Sequence, residues 1–269
     1  YQSSITAGYK TAEAYRGAGI ANIHLGNYQD AIDSLTNGLN DEKAGKALKK
    51  DMLAYRATAE LKSGLNDAAM ADCQTLAESY SMDAETYYLT GCVALAMDSY
   101  DEASSNFTEA YGEDATYDRA IQIYEAYLEK DMEADGTRYL EAALKTEPKN
   151  AEDYCNRGKV YYYMEDYSNA QKELTEAVNQ KSTEGMLLLG MVYRAQGDTS
   201  NARSMCQRMA VIRPKVTMVC HFVIWTMALM PVHWRISARG WKMHLQKKCR
   251  ICCSMRSWYM RKNWIFQQH

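Results

Sequence analysis

Length, composition and charge set broad limits on this chain of 269 residues and 30.6 kDa. Three prolines and fifteen glycines are too few for a collagen-like or loop-rich protein. Eight cysteines in a chain of this length do not indicate a small scaffold held together by disulfides. The chain begins with Tyr1 and not with methionine, which is typical of a processed or truncated fragment.

Residues 1–215 carry apolar side chains at helical spacing and contain few β-branched runs. A fixed unit also repeats there. Its clearest copy reads Tyr154-x-x-Arg157-Gly158-x-x-Tyr161, then Asp166-Tyr167, then Ala170-x-x-x-Leu174 and Ala177. One small residue of the unit recurs six times, at steps of 32 to 38 residues, as Ala31, Ala69, Ala103, Gly136, Ala170 and Ala202. About six repeats in one register predict six helical hairpins, because a hairpin buries its apolar face only against its neighbours.

This unit resembles the tetratricopeptide repeat (TPR), whose 34-residue pattern is W-x2-L-G-x2-Y…A-x3-F…P. The resemblance implies an all-α fold, a TPR-type α-solenoid of antiparallel helix pairs wound into a right-handed superhelix. Packing accounts for the pattern. Glycines in the first helix of a pair let the second helix approach closely, and large residues fill the space beside them. The expected glycines are Gly19, Gly91, Gly158 and Gly190, and the expected large residues are Leu35, Phe107 and Leu174.

Residues 216–269 differ from the rest in composition. They hold nine Lys or Arg, no Asp or Glu, and all five Trp, whereas residues 1–215 hold 22 basic and 34 acidic residues, a net charge of −12. Reading the codons one base out of phase forces glycine from Met227–Ala228 and leucine from His233–Trp234. The shifted string from residue 227 can read G-x-Y-A-x-A-L, which is the register of the first repeat. We therefore interpret 216–269 as a poorly ordered, frameshifted seventh repeat and the start of an eighth.

Three other interpretations of this tail need weighing, of which the membrane span stays open. The nearly uncharged stretch 216–232, followed by basic residues, resembles a short transmembrane span. Basic residues among Trp side chains are also found in nucleic-acid-binding tails, but those here form no helical stripe, so we predict no nucleic-acid partner. Cys249, Cys252 and Cys253 lie near His244, yet no second spaced pair completes a zinc site. We predict no metal.

Residues 1–215 lack the motifs of common catalytic sites. His24 is their only histidine, and neither a phosphate-binding loop, a G-x-S-x-G elbow nor an H-E-x-x-H helix is present. Paired carboxylates such as Asp101-Glu102 are typical of solvated helix faces. We therefore expect no enzymatic activity, no catalytic residues and no cofactor.

The TPR resemblance implies that the first helix of each pair lines a ligand groove. The candidate peptide-binding residues are Arg16, Tyr88, Lys159, Tyr162, Tyr163 and Arg194. Further groove positions are Ile20, His24, Cys92, Leu95, Glu125 and Met191. Tyrosine offers a rigid apolar ring with a hydroxyl, which suits peptide recognition, but packing between neighbouring repeats explains these tyrosines equally well. The asparagine of the family's carboxylate clamp is replaced at each equivalent position, so we expect no such clamp.

The function that follows is a scaffold or adaptor that binds a protein or peptide. The alternative is a membrane-attached TPR protein in envelope or secretion assembly, held by a lost N-terminal lipid anchor or by the stretch 216–232. Localisation stays open between the cytoplasm and, if a signal was removed, an extracytoplasmic compartment.

Overall fold

A computed structural model describes residues 11–212 of the chain, with side chains described as far as Arg208. This range consists of twelve α-helices joined by short turns and contains no strand. The helices are α1 (Ala12–Leu25), α2 (Tyr28–Leu39), α3 (Lys46–Ser63), α4 (Asn66–Ser79), α5 (Ala84–Ala96), α6 (Tyr100–Glu113), α7 (Tyr117–Leu128), α8 (Glu133–Ala143), α9 (Ala151–Tyr163), α10 (Tyr167–Asn179), α11 (Thr183–Ala195) and α12 (Thr199–Ile212). The all-α prediction is confirmed.

Consecutive helices pack as antiparallel hairpins, and the described residues form two compact units. The first unit, 11–114, contains the hairpins α1–α2, α3–α4 and α5–α6. The second unit, 115–212, contains α7–α8, α9–α10 and α11–α12. Within each unit, the first helix of one hairpin packs against the first helix of the hairpin before it. At every such junction except that of α9 with α7–α8, it also packs against the second helix.

Glycine in the first helix allows the close approach that the sequence predicts. A Cβ atom added to Gly158 would lie 2.5 Å from Cγ of Leu174, which is fully buried on the second helix. The same relation holds at Gly19 with Leu35 and at Gly91 with Phe107. These three hairpins therefore use a glycine to seat a large core side chain of the opposite helix.

Two hairpins depart from this arrangement. In α7–α8 the large residue, Tyr124, lies on the first helix and is 6% exposed. The glycine lies opposite, because a Cβ on Gly136 would come within 3.0 Å of the Tyr124 backbone. In α11–α12 the predicted close approach at Gly190 is absent, since its nearest neighbour would be Cβ of Met205 at 3.6 Å. On α12, Ala202 and Met205 are buried, whereas Cys206 is half-buried.

Local signals explain why the first helices begin where they do. Five of the six begin after a residue whose side chain accepts a backbone N–H of the first turn, namely Thr11, Asp83, Thr116, Asn150 and Ser182. Such N-caps satisfy backbone donors that the helix leaves without a partner. Of the second helices, α10 and α12 have this kind of cap, at Asp166 and Asp198.

Each turn within a hairpin contains one residue of positive φ, five positions before the recurring small residue of the second helix. These residues are Gly26, Gly64, Asp98, Asp131, Glu165 and Gly197. Glycine adopts this left-handed conformation without strain, and acidic residues occupy it in the third, fourth and fifth hairpins. The shared geometry places all six turns in the same register relative to their helices.

Several predictions concern residues outside the described range. The Trp-rich segment 216–269, its frameshift interpretation, the possible span at 216–232 and the cysteine cluster all lie there. Between residues 11 and 212, no helix combines the length and apolarity that a membrane crossing needs. Among the side chains of that same range, no group of three or more His, Cys, Asp or Glu could hold a metal ion.

Candidate functional site

The six candidate residues all lie on first helices, as the sequence predicts. Arg16 is on α1 and Tyr88 on α5, both in the first unit. Lys159, Tyr162, Tyr163 and Arg194 are on α9 and α11 of the second unit. The candidate site therefore consists of one patch in each unit.

In the first unit, Arg16 connects neighbouring hairpins. Its Nε donates a hydrogen bond to the carboxylate of Asp51 on α3, and its guanidinium lies 5.6 Å from the centre of the Tyr55 ring. Burial raises the pKa of Tyr55, and so do the carboxylates of Asp51 and, on α5, Glu85. Arg16 and Tyr55 thus link α1, α3 and α5 across one face.

Tyr88 is less available for a ligand than the sequence suggests. Its half-buried ring packs 5.9 Å from the ring of Phe107, which is fully buried on the second helix of the same hairpin. Leu95, one of the further groove positions, is 3% exposed and belongs to the core. In this hairpin, packing accounts for both residues.

In the second unit, Lys159 forms an ion pair between hairpins. Its Nζ lies 2.8 Å from Oε1 of Glu184 on α11 and donates to Oδ1 of Asn156 at 3.2 Å. Burial lowers the pKa of Lys159, but the carboxylates of Glu184 and Asp118 together raise it above its ordinary value. Lys159 therefore stays charged, and its charge is balanced within the unit.

Tyr162 and Tyr163 carry the aromatic part of this patch. Their rings are 6.4 Å apart, and the hydroxyl of Tyr163 donates a hydrogen bond to the carboxylate of Glu125 on α7. Burial raises the pKa of both tyrosines, and Glu125 raises that of Tyr163 further. On the other side, Arg194 of α11 lies within electrostatic range of Tyr162.

The face of α7, α9 and α11 therefore presents tyrosine rings bordered by charges of both signs. Burial lowers the pKa of Arg194, which still remains positive near neutral pH. A surface of this kind can hold a peptide through apolar contact with the rings and hydrogen bonds at their hydroxyls.

Two residues of these patches were not predicted from the sequence. Ala57 occupies on α3 the position that Gly19 and Gly158 occupy on their helices. Tyr55 lies two positions before it, and the repeat pattern does not assign that position to the groove. Glu184 lies near the start of α11 and meets Lys159 only because neighbouring hairpins stack. Repeat periodicity carries no signal for a salt bridge between hairpins.

A buried cluster of charged side chains in the first unit contains a carboxyl group whose pKa is strongly raised. Arg56 of α3 donates two hydrogen bonds of 2.7 Å to Asp72 of α4, and its Nε lies 3.8 Å from Oε1 of Glu60. Burial and the nearby Asp72 raise the pKa of Glu60 to about 7. This cluster joins two helices inside a hairpin and does not line an open cleft, since Glu60 and Asp72 are each 6% exposed.

Comparison with known proteins agrees with the fold. The family model for the tetratricopeptide repeat matches residues 155–216. No curated protein matches the chain. A tetratricopeptide repeat protein from Parabacteroides merdae is similar over 80% of this chain and 84% of its own, at 16% identity and a TM-score of 0.50.

Two further solved structures are similar at lower TM-scores. A thermophilic TPR protein from Thermus thermophilus has 19% identity, with 81% of this chain and 100% of that chain covered and a TM-score of 0.42. The C-terminal part of a TPR repeat-containing protein from Cytophaga hutchinsonii has 16% identity, with coverages of 75% and 80% and a TM-score of 0.46. The family model thus identifies tetratricopeptide repeat sequence at residues 155–216, and the described part of the chain shares the all-α fold of a tetratricopeptide repeat protein.

Proposed function

We propose that this protein is a scaffold that binds a peptide or protein segment on its first helices and has no catalytic activity. The observation that carries the proposal is the grouping of aromatic and charged side chains on the face of α7, α9 and α11. There, two half-buried tyrosines on one helix are bordered by Glu125 from the preceding hairpin and Arg194 from the following one. A rigid aromatic surface with polar groups at its edges is typical of peptide recognition.

The distribution of shifted pKa values supports a binding role over a catalytic one. Glu60, whose pKa is raised to about 7, is held inside a helix pair next to Arg56 and Asp72. A catalytic acid or base must reach a substrate, and Glu60 is almost fully buried. Lys159 is likewise engaged by Glu184. Both groups contact charged side chains of their own unit.

A selection from a random peptide library against the purified full-length chain tests the proposal. We expect enriched peptides whose binding is lost when Tyr162 and Tyr163 are both changed to alanine. Each tyrosine should contribute about 1–2 kcal/mol to binding, as aromatic residues do at the centre of interfaces. The matched control is Tyr100→Ala, which removes a tyrosine at the start of the second helix α6, where the ring is 46% exposed.

Charge can be tested without breaking the ion pair. Exchanging the two partners, as Lys159→Glu with Glu184→Lys, keeps an attractive pair while reversing its direction along the groove. We expect altered peptide preference in the exchanged protein, with unchanged helix content by circular dichroism. Enriched peptides that bind the double alanine variant and the parent protein equally would contradict the proposal.

A further inference from the structure

Four tyrosines of the second unit form one continuous aromatic surface, here named the tyrosine cluster: Tyr124, Tyr162, Tyr163 and Tyr167. The ring of Tyr163 lies 5.3 Å from that of Tyr124 and 6.4 Å from that of Tyr162, and Tyr162 lies 5.8 Å from Tyr167. Tyr124 is buried, whereas the other three are half-buried and present part of their rings to solvent.

One exposed carboxylate contacts this cluster, and two more lie within electrostatic range of it. Glu125 accepts the hydroxyl hydrogen of Tyr163. Burial is the main reason that the pKa of Tyr124 is raised. Two carboxylates raise it further, those of Glu133 at the start of α8 and Glu165 in the turn after α9. All three side chains belong to exposed residues. The cluster therefore combines electron-rich ring faces with three negative charges from three separate segments.

The helix ends add to this negative potential. The cluster lies where α7 and α9 terminate, at Leu128 and Tyr163, and a helix C-terminus carries partial negative charge. Neither helix has a basic residue in its last turn, and Lys130 follows two residues after the end of α7. By contrast, α11 has Arg194 in its last turn, within electrostatic range of Tyr162. An incoming cation is therefore favoured on the Glu125 side, over the ring of Tyr163.

Because aromatic faces and carboxylates both attract cations, we propose that the tyrosine cluster binds the basic side chains of a partner peptide, with an arginine or lysine seated over Tyr163 beside Glu125. This ligand assignment rests on the proposed function, whose ligand it specifies. A guanidinium can stack on a ring while donating hydrogen bonds to a carboxylate, which uses both features together. The net charge of −12 on residues 1–215 further favours the approach of a basic segment.

Fluorescence anisotropy of three labelled peptides added to the full chain tests this inference. The peptides share a glycine–serine framework and carry arginine, the uncharged isostere citrulline, or glutamate at the same positions. We expect the arginine peptide to bind about tenfold more tightly than the citrulline peptide and the glutamate peptide not to bind. Added salt should weaken arginine binding, because these charges are exposed.

Variants then locate the site. Changing Glu125, Glu133 and Glu165 together to glutamine should weaken arginine-peptide binding by about tenfold, at roughly two- to threefold for each exposed charge. Tyr163→Leu should weaken it by about threefold, since the ring is lost and an apolar residue remains. The control is Glu141→Gln, which removes an exposed carboxylate from the second helix α8 of the same unit.

The outcomes separate the inference from the proposed function. Equal binding of the arginine and citrulline peptides, or full arginine binding by the triple glutamine variant, would overturn the inference. If library peptides that are neutral or acidic bind and are lost in the double alanine variant of Tyr162 and Tyr163, the scaffold function holds and the basic ligand is wrong. If no peptide of any charge binds, both are wrong.

Discussion

Replacing Gly158 with alanine tests the close helix approach on which the hairpin fold depends. The new Cβ would lie 2.5 Å from Cγ and 2.6 Å from Cδ2 of Leu174, about 1 Å inside the usual contact distance of carbon atoms. Leu174 is fully buried and cannot move into solvent. Overpacking of this kind costs about 1–3 kcal/mol, against which alanine gains about 1 kcal/mol in helix propensity. We expect a net loss of up to about 2 kcal/mol.

Gly190→Ala is the matched control, because it occupies the same position of the last hairpin. Its new Cβ would lie 3.6 Å from the Cβ of Met205, an ordinary contact. The gain in helix propensity should therefore prevail and stabilise the protein by about 0.5–1 kcal/mol. Urea or thermal unfolding followed by circular dichroism measures both variants. The two substitutions are chemically identical, so their difference in sign isolates the packing effect.

A double variant makes the same test independent of propensity. Leu174→Ala alone should cost about 2–5 kcal/mol, because it opens a cavity. With Gly158→Ala added, the new methyl group enters that space, and the combined cost should be at least about 1 kcal/mol below the sum of the single costs. If Gly158→Ala stabilises the protein as much as Gly190→Ala does, or if the two changes are additive, the close-packing account is refuted.

Three further predictions concern single side chains. Glu60 has a pKa raised from 4.5 to about 7, so the folded protein loses stability as pH rises through that window. Urea unfolding at pH 5 and pH 8 should show this loss in the parent protein, on the order of 2 kcal/mol, and Glu60→Gln should abolish it. Burial raises the pKa of Asp83, but hydrogen bonds from Lys50 and Thr86 lower it to about 2, so the contribution of Asp83 to stability is lost only as pH falls below about 4. Asp83→Asn can still cap α5 and should cost about 0.5 kcal/mol at neutral pH, whereas Asp83→Ala should cost about 1–2 kcal/mol. Equal losses in the two variants would contradict the capping role. Lys181 has a φ of 66°, so Lys181→Gly should raise the unfolding free energy by about 0.5–1 kcal/mol, and a loss would show that its side chain does more than occupy the turn.

The hairpins could be predicted from the sequence because their packing depends on residue size at fixed spacing. Gly158 and Leu174 lie sixteen positions apart, as do Gly19 and Leu35, and the structure brings each pair into contact. A small residue facing a large one leaves a signal that recurs with every repeat. The register of the turns follows from the same constraint.

The sequence does not reveal how a hairpin compensates when that pattern changes. Tyr124 stands where the other first helices carry glycine or alanine, and the exchange of roles with Gly136 is visible only once the helices are packed. A small residue on the first helix with a large one on the second, or the reverse, fills the same space between the helices. The size of the residue at one position therefore does not decide which arrangement forms. The weaker repeat signal of this hairpin reflects that exchange.

The sequence places the candidate residues on first helices, but it does not give the contacts that their side chains make. Position along the first helix correctly places Lys159 and Tyr163 on one helix, because the repeat register fixes the helix face. The ion pair of Lys159 with Glu184, and the hydrogen bond from Tyr163 to Glu125, each join different hairpins. Such contacts depend on how neighbouring hairpins stack, and their partners obey no periodic rule.

Amide hydrogen exchange with a bound peptide is the most direct test of the central claim that the first helices form the ligand face. We expect a peptide selected for binding to slow exchange in α7, α9 and α11, with the largest change near Tyr162 and Tyr163 at the end of α9. Protection confined to the second helices α8, α10 and α12, or an unchanged pattern at saturating peptide, would contradict it.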